Sequence, residues 1–193
     1  MNAFSFPNIL SAARLAAAPL LAAVFWLPRW TDAPQAAADV AAAAVFAAAA
    51  LTDFADGYWA RRHRQQTPLG AFLDPLADKI LVATALLLLV DAGRAPAAAV
   101  LLIVAREIFV SALREWAALA GTSGAVRVSA AGKWKTAMQM IAAPLLFLGG
   151  ALWNPHLAEI GAVLLWAAAA LAVWSMAEYC RAAWRTRGFH GRE

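Results

Sequence analysis

Cysteine is almost missing from this chain of 193 residues. Cys180 stands alone, so no intramolecular disulfide and no cysteine-based metal site can form. It falls inside an apolar stretch and is expected to be a buried, inert thiol. Histidine is nearly as scarce. His63 and His190 sit in basic segments and His156 in a short loop. None has a neighbour in sequence that suits metal binding or nucleophilic work, so all three are expected to be solvated. Charge is sparse too: 15% of residues are Asp, Glu, Lys or Arg, against about 25% in soluble domains. No internal repeat and no linker marks a second domain, and residues 1–193 read as a single membrane domain. A cleavable leader is not expected: the first residues lack a positive segment, Arg14 interrupts the first apolar run, and further runs follow.

What fills the space is apolar. Hydrophobic residues make up 63% of the chain, where an ordinary soluble domain has about 45–50%. They are gathered into Ala/Leu/Val runs of the length that crosses a bilayer, about 20 residues. The expected fold is all-α and integral to the membrane, with six spans near Ile9–Leu27, Ala36–Trp59, Gly70–Val90, Ala95–Ala120, Trp134–Leu152 and Leu157–Cys180. The second helix is expected to run on to Arg64. Pro and Gly mark the joints at Pro28, Pro68, Gly93, Pro96, Gly121, Gly124 and Pro155.

Net charge is +4, from 16 Lys+Arg against 12 Asp+Glu. In a soluble protein this would raise the question of nucleic acid. Here the basic residues flank spans. Arg61, Arg62, Arg64, Arg127, Lys133, Lys135 and the tail residues Arg181, Arg185, Arg187 and Arg192 fall on one side. The other side holds Arg29 and Arg94, offset by Asp32 and Asp91. The positive-inside rule then places both termini in the cytoplasm, in keeping with an even number of spans.

Four acids break the apolar pattern. They lie in Asp53-Phe54-Ala55-Asp56-Gly57-Tyr58-Trp59-Ala60-Arg61, followed after eight residues by Gly70-Ala71-Phe72-Leu73-Asp74-Pro75-Leu76-Ala77-Asp78. A single charge at the bilayer centre costs about 2.5–3.5 kcal/mol on insertion scales, so four need a polar cavity or compensating cations. Asp53 and Asp56 are three apart and Asp74 and Asp78 four apart, so each pair shares a helix face. The short joint at Thr67-Pro68 makes the two helices antiparallel neighbours and brings the pairs to similar depths. An all-oxygen donor set suits Mg²⁺ or Mn²⁺ and not zinc. Two such ions would neutralise the acids and clamp a diphosphate. Gly57 and Ala60 leave room beside the acids for a flat group, although close helix packing uses the same residues. Arg61 is placed to grip phosphate, or to anchor the helix end.

The two segments together match D-x-x-D-G-x-x-A-R, eight residues, G-x-x-x-D-x-x-x-D, with no gap and no substitution. This resembles the signature of the CDP-alcohol phosphatidyltransferase family. The likeness covers nearly the whole chain. Phe6-Pro7-Asn8-Ile9-Leu10-Ser11 with Arg14 resembles the family's opening helix, with Ser11 where threonine is more familiar. Ala105-Arg106-Glu107-Ile108, Ser111-Ala112-Leu113-Arg114-Glu115-Trp116, Gly132-Lys133-Trp134-Lys135-Thr136, Gln139-Met140 and Trp174-Ser175-Met176 resemble the bacterial branch that makes phosphatidylglycerophosphate.

The resemblance implies six membrane helices, a homodimer, and a cavity open to the cytoplasm of the bacterial inner membrane. It implies two divalent cations on Asp53, Asp56, Asp74 and Asp78, with Asp78 also the general base. It assigns Asn8, Gly57, Ala60, Arg61 and Gly70 to the CDP-lipid. The implied reaction joins CDP-diacylglycerol and sn-glycerol 3-phosphate into phosphatidylglycerophosphate, with release of CMP. Such an acceptor needs a basic pocket of its own. Arg106 lies deep in an apolar run, where arginine is expensive. Arg114 follows eight residues on, and Lys133 and Lys135 open the fifth span. These four are the expected acceptor-phosphate residues. The alternatives are an internal ion pair for Arg106 and a basic loop for the lysines. Glu107 is expected to point away from Arg106, and Glu107, Glu115 and Glu178 to be ion-pairing or interface residues.

Two other functions fit parts of the pattern. One keeps the chemistry and changes the acceptor to serine, inositol phosphate or phosphatidylglycerol. The other is a small cation transporter whose intramembrane acids bind ions. It gives no reason for Gly57, Ala60 and Arg61 beside the acids, and the chain lacks the repeated halves common in transporters.

Overall fold

The computed structural model describes residues 6–63, 68–119 and 130–187, and within them the side chains of 12–52, 73, 75–119, 132 and 134–181. Among the described residues there are six α-helices and no strand: α1 (Phe6–Trp26), α2 (Gln35–His63), α3 (Pro68–Asp91), α4 (Ala97–Leu119), α5 (Ala130–Ala151) and α6 (Pro155–Arg187). A 3₁₀ turn, Leu27–Arg29, follows α1. The stretches Ala12–Arg29, Gln35–Thr52 and Pro155–Arg181 are long and apolar enough to cross a membrane. The acids and bases of the signature and of the basic segments interrupt α3, α4 and α5.

The helix ends follow local chemistry. Gly93 closes α3 in the left-handed region at φ +69°, which glycine enters without steric penalty. Its N–H donates to the Val90 carbonyl at 2.9 Å, and that of Arg94 to Leu89 at 2.8 Å, so two carbonyls at the helix end gain partners. At the other joint, Asn154 caps α6. Its Oδ1 accepts from the backbone N–H groups of His156 at 3.1 Å and Leu157 at 3.4 Å, while Pro155 takes the first helical position, where no N–H is needed.

The chain divides into two compact units. One comprises Met1–Ala95 and Met140–Ala162, the other Pro96–Gln139 and Val163–Glu193. In the first, α1 packs on both α2 and α3. Leu21, Phe46, Leu81, Leu86, Leu89 and Phe147 are fully buried, and the Phe25 and Phe147 rings meet edge to face at 5.6 Å. The C-terminal part of α5 lies against the start of α6. A methyl group added at Gly149 would sit 2.9 Å from the Ala158 backbone nitrogen, so this crossing requires a residue without a side chain.

Polar residues of this unit pair at its helix ends. Asp39, fully buried on α2, meets Arg94 at 2.7 Å and accepts from Gln35 Nε2 at 3.0 Å. Asp91 accepts from Arg29 at 2.5 Å and from the Trp26 indole at 3.2 Å. The two basic residues of the acid-balanced loops are thus each neutralised, though Arg94 takes a helix aspartate and not a loop acid.

In the second unit, Ala99, Val100, Ile103 and Val110 of α4 and Leu165, Ala168, Ala169 and Ala172 of α6 are buried. Cys180 corrects an expectation: it is exposed. Buried Ala172, Ser175 and Tyr179 mark the inward face of α6, and Cys180 is turned about 100° from Tyr179. In the first unit, His156 is solvated as expected, with its side chain 85% exposed.

Candidate functional site

The signature occupies two consecutive helices. Asp53, Asp56, Gly57, Ala60 and Arg61 fall in the last three turns of α2, and Gly70, Asp74 and Asp78 in the first half of α3. The side chains of Asp53, Asp56, Ala60, Arg61 and Asp74 and the surroundings of Gly57 and Gly70 lie outside the described residues, as do the side chains of Asn8 on α1 and Lys133 on α5. Asp78 is described. It is half-buried, and its Oδ1 is shielded from solvent. The donor chemistry fits a hard divalent cation: four carboxylates on two helices, with no histidine or cysteine among the signature positions.

The second unit holds a cluster of charged and polar side chains built from α4, α5 and α6. Arg106 of α4 is buried. Its Nε donates to Ser175 Oγ on α6 at 3.1 Å, and its Nη1 donates to Glu107 Oε1 at 3.0 Å. Lys135 of α5, also buried, donates to the same carboxylate oxygen of Glu107. Glu107 therefore does not point away from Arg106, as the sequence alone led us to expect; it accepts from both cations. Neighbouring helix positions are about 100° apart, but both side chains are long enough to bend toward each other, and Lys135 draws the carboxylate inward.

Tyr179 extends the cluster by one turn. Its hydroxyl accepts from Arg114 Nη2 at 2.7 Å. The guanidinium carbons of Arg106 and Arg114 stand 5.5 Å and 5.4 Å from its ring centroid, within reach of cation–π attraction. Ser175 and Tyr179 are four apart on α6 and the two arginines eight apart on α4, and both arginines converge on the Tyr179 ring. Ser175 completes its own bonding by donating to the Ala172 carbonyl at 3.0 Å. Glu178 accepts from the Trp174 indole at 3.0 Å.

Burying Arg106 and Lys135 is unfavourable unless they are paired and hydrogen-bonded. Glu107 accepts from both Arg106 and Lys135, and Arg114 joins the same assembly through Tyr179. Three cationic side chains on one helix-borne frame have the donor chemistry that a phosphate needs. Three of the four expected acceptor-phosphate residues, Arg106, Arg114 and Lys135, are linked through Glu107, Ser175 and Tyr179 in this way. Glu107 was expected as an ion-pairing or interface residue and Ser175 only as part of the family likeness; Tyr179 was not singled out. The available signal was Ser175 and Tyr179, four apart on one face of α6.

One further polar group is buried on α5. Gln139, four residues after Lys135, is 2% exposed, and its Nε2 has no hydrogen-bond partner among the described residues.

Comparison with known proteins agrees with the signature. The profile of the CDP-alcohol phosphatidyltransferase family matches residues 4–174. The chain is 42% identical over 188 residues to the CDP-diacylglycerol–glycerol-3-phosphate 3-phosphatidyltransferase of Escherichia coli strain K12, covering 93% of this chain and 95% of that protein. The enzyme of the same name from Shigella flexneri serotype 5b gives the same identity and coverage. CDP-diacylglycerol–glycerol-3-phosphate 3-phosphatidyltransferase 2 of Arabidopsis thaliana is 40% identical over 196 residues, which span 94% of this chain and 80% of the plant protein.

Proposed function

The chain belongs to the CDP-alcohol phosphatidyltransferase family, and from that premise we propose that it transfers the phosphatidyl group of CDP-diacylglycerol to sn-glycerol 3-phosphate, in phosphatidylglycerol synthesis. The similarity to enzymes named for this reaction runs over nearly the full length. The structural observation that carries the choice of acceptor is the buried pair Arg106 and Lys135 on one carboxylate, Glu107. With Arg114 it gathers three cationic side chains for a phosphate-bearing acceptor, which serine would not use.

In the reaction the primary hydroxyl oxygen of the acceptor forms a bond to the phosphorus that carries diacylglycerol. The bond from that phosphorus to the bridging oxygen breaks, and CMP departs with the electron pair. Asp78 accepts the hydroxyl proton. Asp53, Asp56, Asp74 and Asp78 would hold two divalent cations, Mg²⁺ or Mn²⁺, which supply charge neutralisation for the diphosphate and the departing CMP. Gly57 and Ala60 leave room for the cytidine, Arg61 takes a phosphate oxygen, and Asn8 and Gly70 complete the CDP-lipid contacts. Arg106, Arg114, Lys133 and Lys135 hold the acceptor phosphate.

The same reading assigns six membrane spans, both termini in the cytoplasm, an active site open to the cytoplasm of the bacterial inner membrane, and a homodimer. The excess of Lys and Arg in one set of loops supports this orientation.

The test is CMP release by the purified chain in detergent with CDP-diacylglycerol and Mg²⁺, across glycerol 3-phosphate, serine, inositol phosphate and phosphatidylglycerol. Release with glycerol 3-phosphate alone is expected. EDTA is expected to abolish it, and Mg²⁺ or Mn²⁺ to restore it. Preference for another acceptor would overturn the assignment of the basic cluster. No release with any acceptor would overturn the reaction and revive the transporter reading.

A further inference from the structure

The basic cluster accounts for the acceptor's phosphate, and Asp78 for its reacting hydroxyl. Glycerol 3-phosphate has one more polar group, the secondary hydroxyl next to the phosphate-bearing carbon. Nothing assigned so far recognises it. Gln139 is the one buried side chain of the second unit with an amide donor left without a partner among the described residues. A buried amide donor without an acceptor is costly, and native structures rarely keep one that nothing uses. Gln139 shares the buried face of α5 with Lys135, one turn away. The two backbone positions are separated by about 6 Å along the helix, a span comparable to a three-carbon phosphate.

Lys135 already bonds Glu107, which ties this face of α5 to the cationic cluster. Glutamine suits the task for a chemical reason. A carboxylate there would repel the phosphate, and a further cation would hold phosphate anywhere along the face. A neutral amide adds a hydrogen-bond donor without adding charge, so the cations keep the stronger hold on the phosphate and the amide is left for a hydroxyl at its own distance from them. From this we infer that Gln139 is an acceptor-specificity residue, whose Nε2 donates to the secondary hydroxyl of the acceptor and fixes which end of the molecule meets the phosphate subsite. The inference rests on the proposed transfer to glycerol 3-phosphate.

The experiment compares two acceptors with the full chain in detergent: sn-glycerol 3-phosphate and 3-hydroxypropyl phosphate, which lacks only the secondary hydroxyl. The unmodified protein is expected to prefer glycerol 3-phosphate by at least about tenfold in kcat/KM, since the analogue leaves the buried donor unpaired. Gln139→Met keeps the volume and removes the donor. It is expected to narrow the preference to within about threefold, with most of the loss on glycerol 3-phosphate. Equal losses on both acceptors would mark a packing role and overturn the inference. So would an unmodified protein that fails to discriminate, a result that needs no variant to fold. If the unmodified protein released no CMP with either acceptor while remaining a monodisperse, folded species, the failure would lie in the transfer reading itself.

Discussion

Arg106 is held by three different interactions: a hydroxyl, a carboxylate and an aromatic face. Such a side chain is positioned before any ligand arrives, so little conformational entropy remains to be lost on binding. Arg106→Ala is therefore expected to raise KM for glycerol 3-phosphate at least about tenfold, with a smaller change in kcat. An unchanged KM in steady-state kinetics would remove it from the pocket. Glu107 has a different part. It neutralises one of the cations and ties Arg106 to Lys135. Glu107→Gln keeps the shape, removes the negative charge and leaves two buried cations less compensated. The expected result is a lower melting temperature together with a weaker preference among anionic acceptors, read by thermal unfolding and by the acceptor panel. Asp78→Asn is expected to lower kcat about 10²–10⁴-fold, the usual worth of a positioned proton acceptor, in a chain that still folds.

Asp91, at the end of α3 and outside the apolar spans, gives a pH prediction. The Trp26 indole and then Arg29 donate to its carboxylate and hold it below the ordinary carboxylate range. A lowered value means that the folded state favours the charged form. The stabilisation is fully present above the unfolded value, near pH 4, and is lost as pH falls through the lower folded value. Asp91→Asn should be less stable than the parent at pH 7, and in thermal melts the difference should shrink as pH falls below about 4. A difference that grew on acidification would contradict the assignment.

At the scale of elements, two joints can be tested. Asn154 supplies the cap of α6, and Asn154→Ala is expected to destabilise the fold by about 1 kcal/mol in denaturation measurements. The Arg94–Asp39 pair links the α3–α4 joint to the fully buried face of α2. Removing one partner of a buried pair costs about 3–5 kcal/mol. Arg94 retains partial exposure, so Arg94→Met is expected near the lower end, about 3 kcal/mol. The helices themselves were legible in the sequence. The expected course of the second helix, from Ala36 through Trp59 and on to Arg64, compares with the observed Gln35–His63, because Ala-rich apolar runs ended by Pro and polar residues leave little choice. Partners across helices were not legible. That Glu107 would turn back to Arg106 depends on Lys135 of α5 drawing its carboxylate inward, and that Arg94 would reach Asp39 and not a loop acid depends on how the helices are rotated about their axes, neither of which hydropathy encodes. Cys180 was misread for the same reason: an apolar stretch does not say which of two adjacent residues faces in.

At the scale of the whole molecule, the signature and the basic cluster differ in how they can be read. The signature is a fixed spacing on two consecutive helices, so Asp53, Asp56, Asp74 and Asp78 stand out from sequence alone. The cluster draws on α4, α5 and α6, and its uncharged members Ser175 and Tyr179 acquire meaning only once those helices are folded. Orientation in the membrane can be tested by replacing the single cysteine, Cys180→Ser, and introducing one in the basic tail, Glu193→Cys. A membrane-impermeant maleimide is expected to label it in inside-out vesicles and not in right-side-out ones; the reverse pattern would invert the topology.

The most direct test of the central claim follows the acceptor's own oxygen. The purified chain is given CDP-diacylglycerol, Mg²⁺ and sn-glycerol 3-phosphate carrying ¹⁸O in its primary hydroxyl, and the lipid product is weighed by mass spectrometry. Direct attack by that hydroxyl predicts phosphatidylglycerophosphate with the label retained in the new phosphodiester and one CMP per lipid formed. CMP release with no labelled lipid, or with phosphatidic acid in its place, would mean that water and not glycerol 3-phosphate is the acceptor, and would contradict the account.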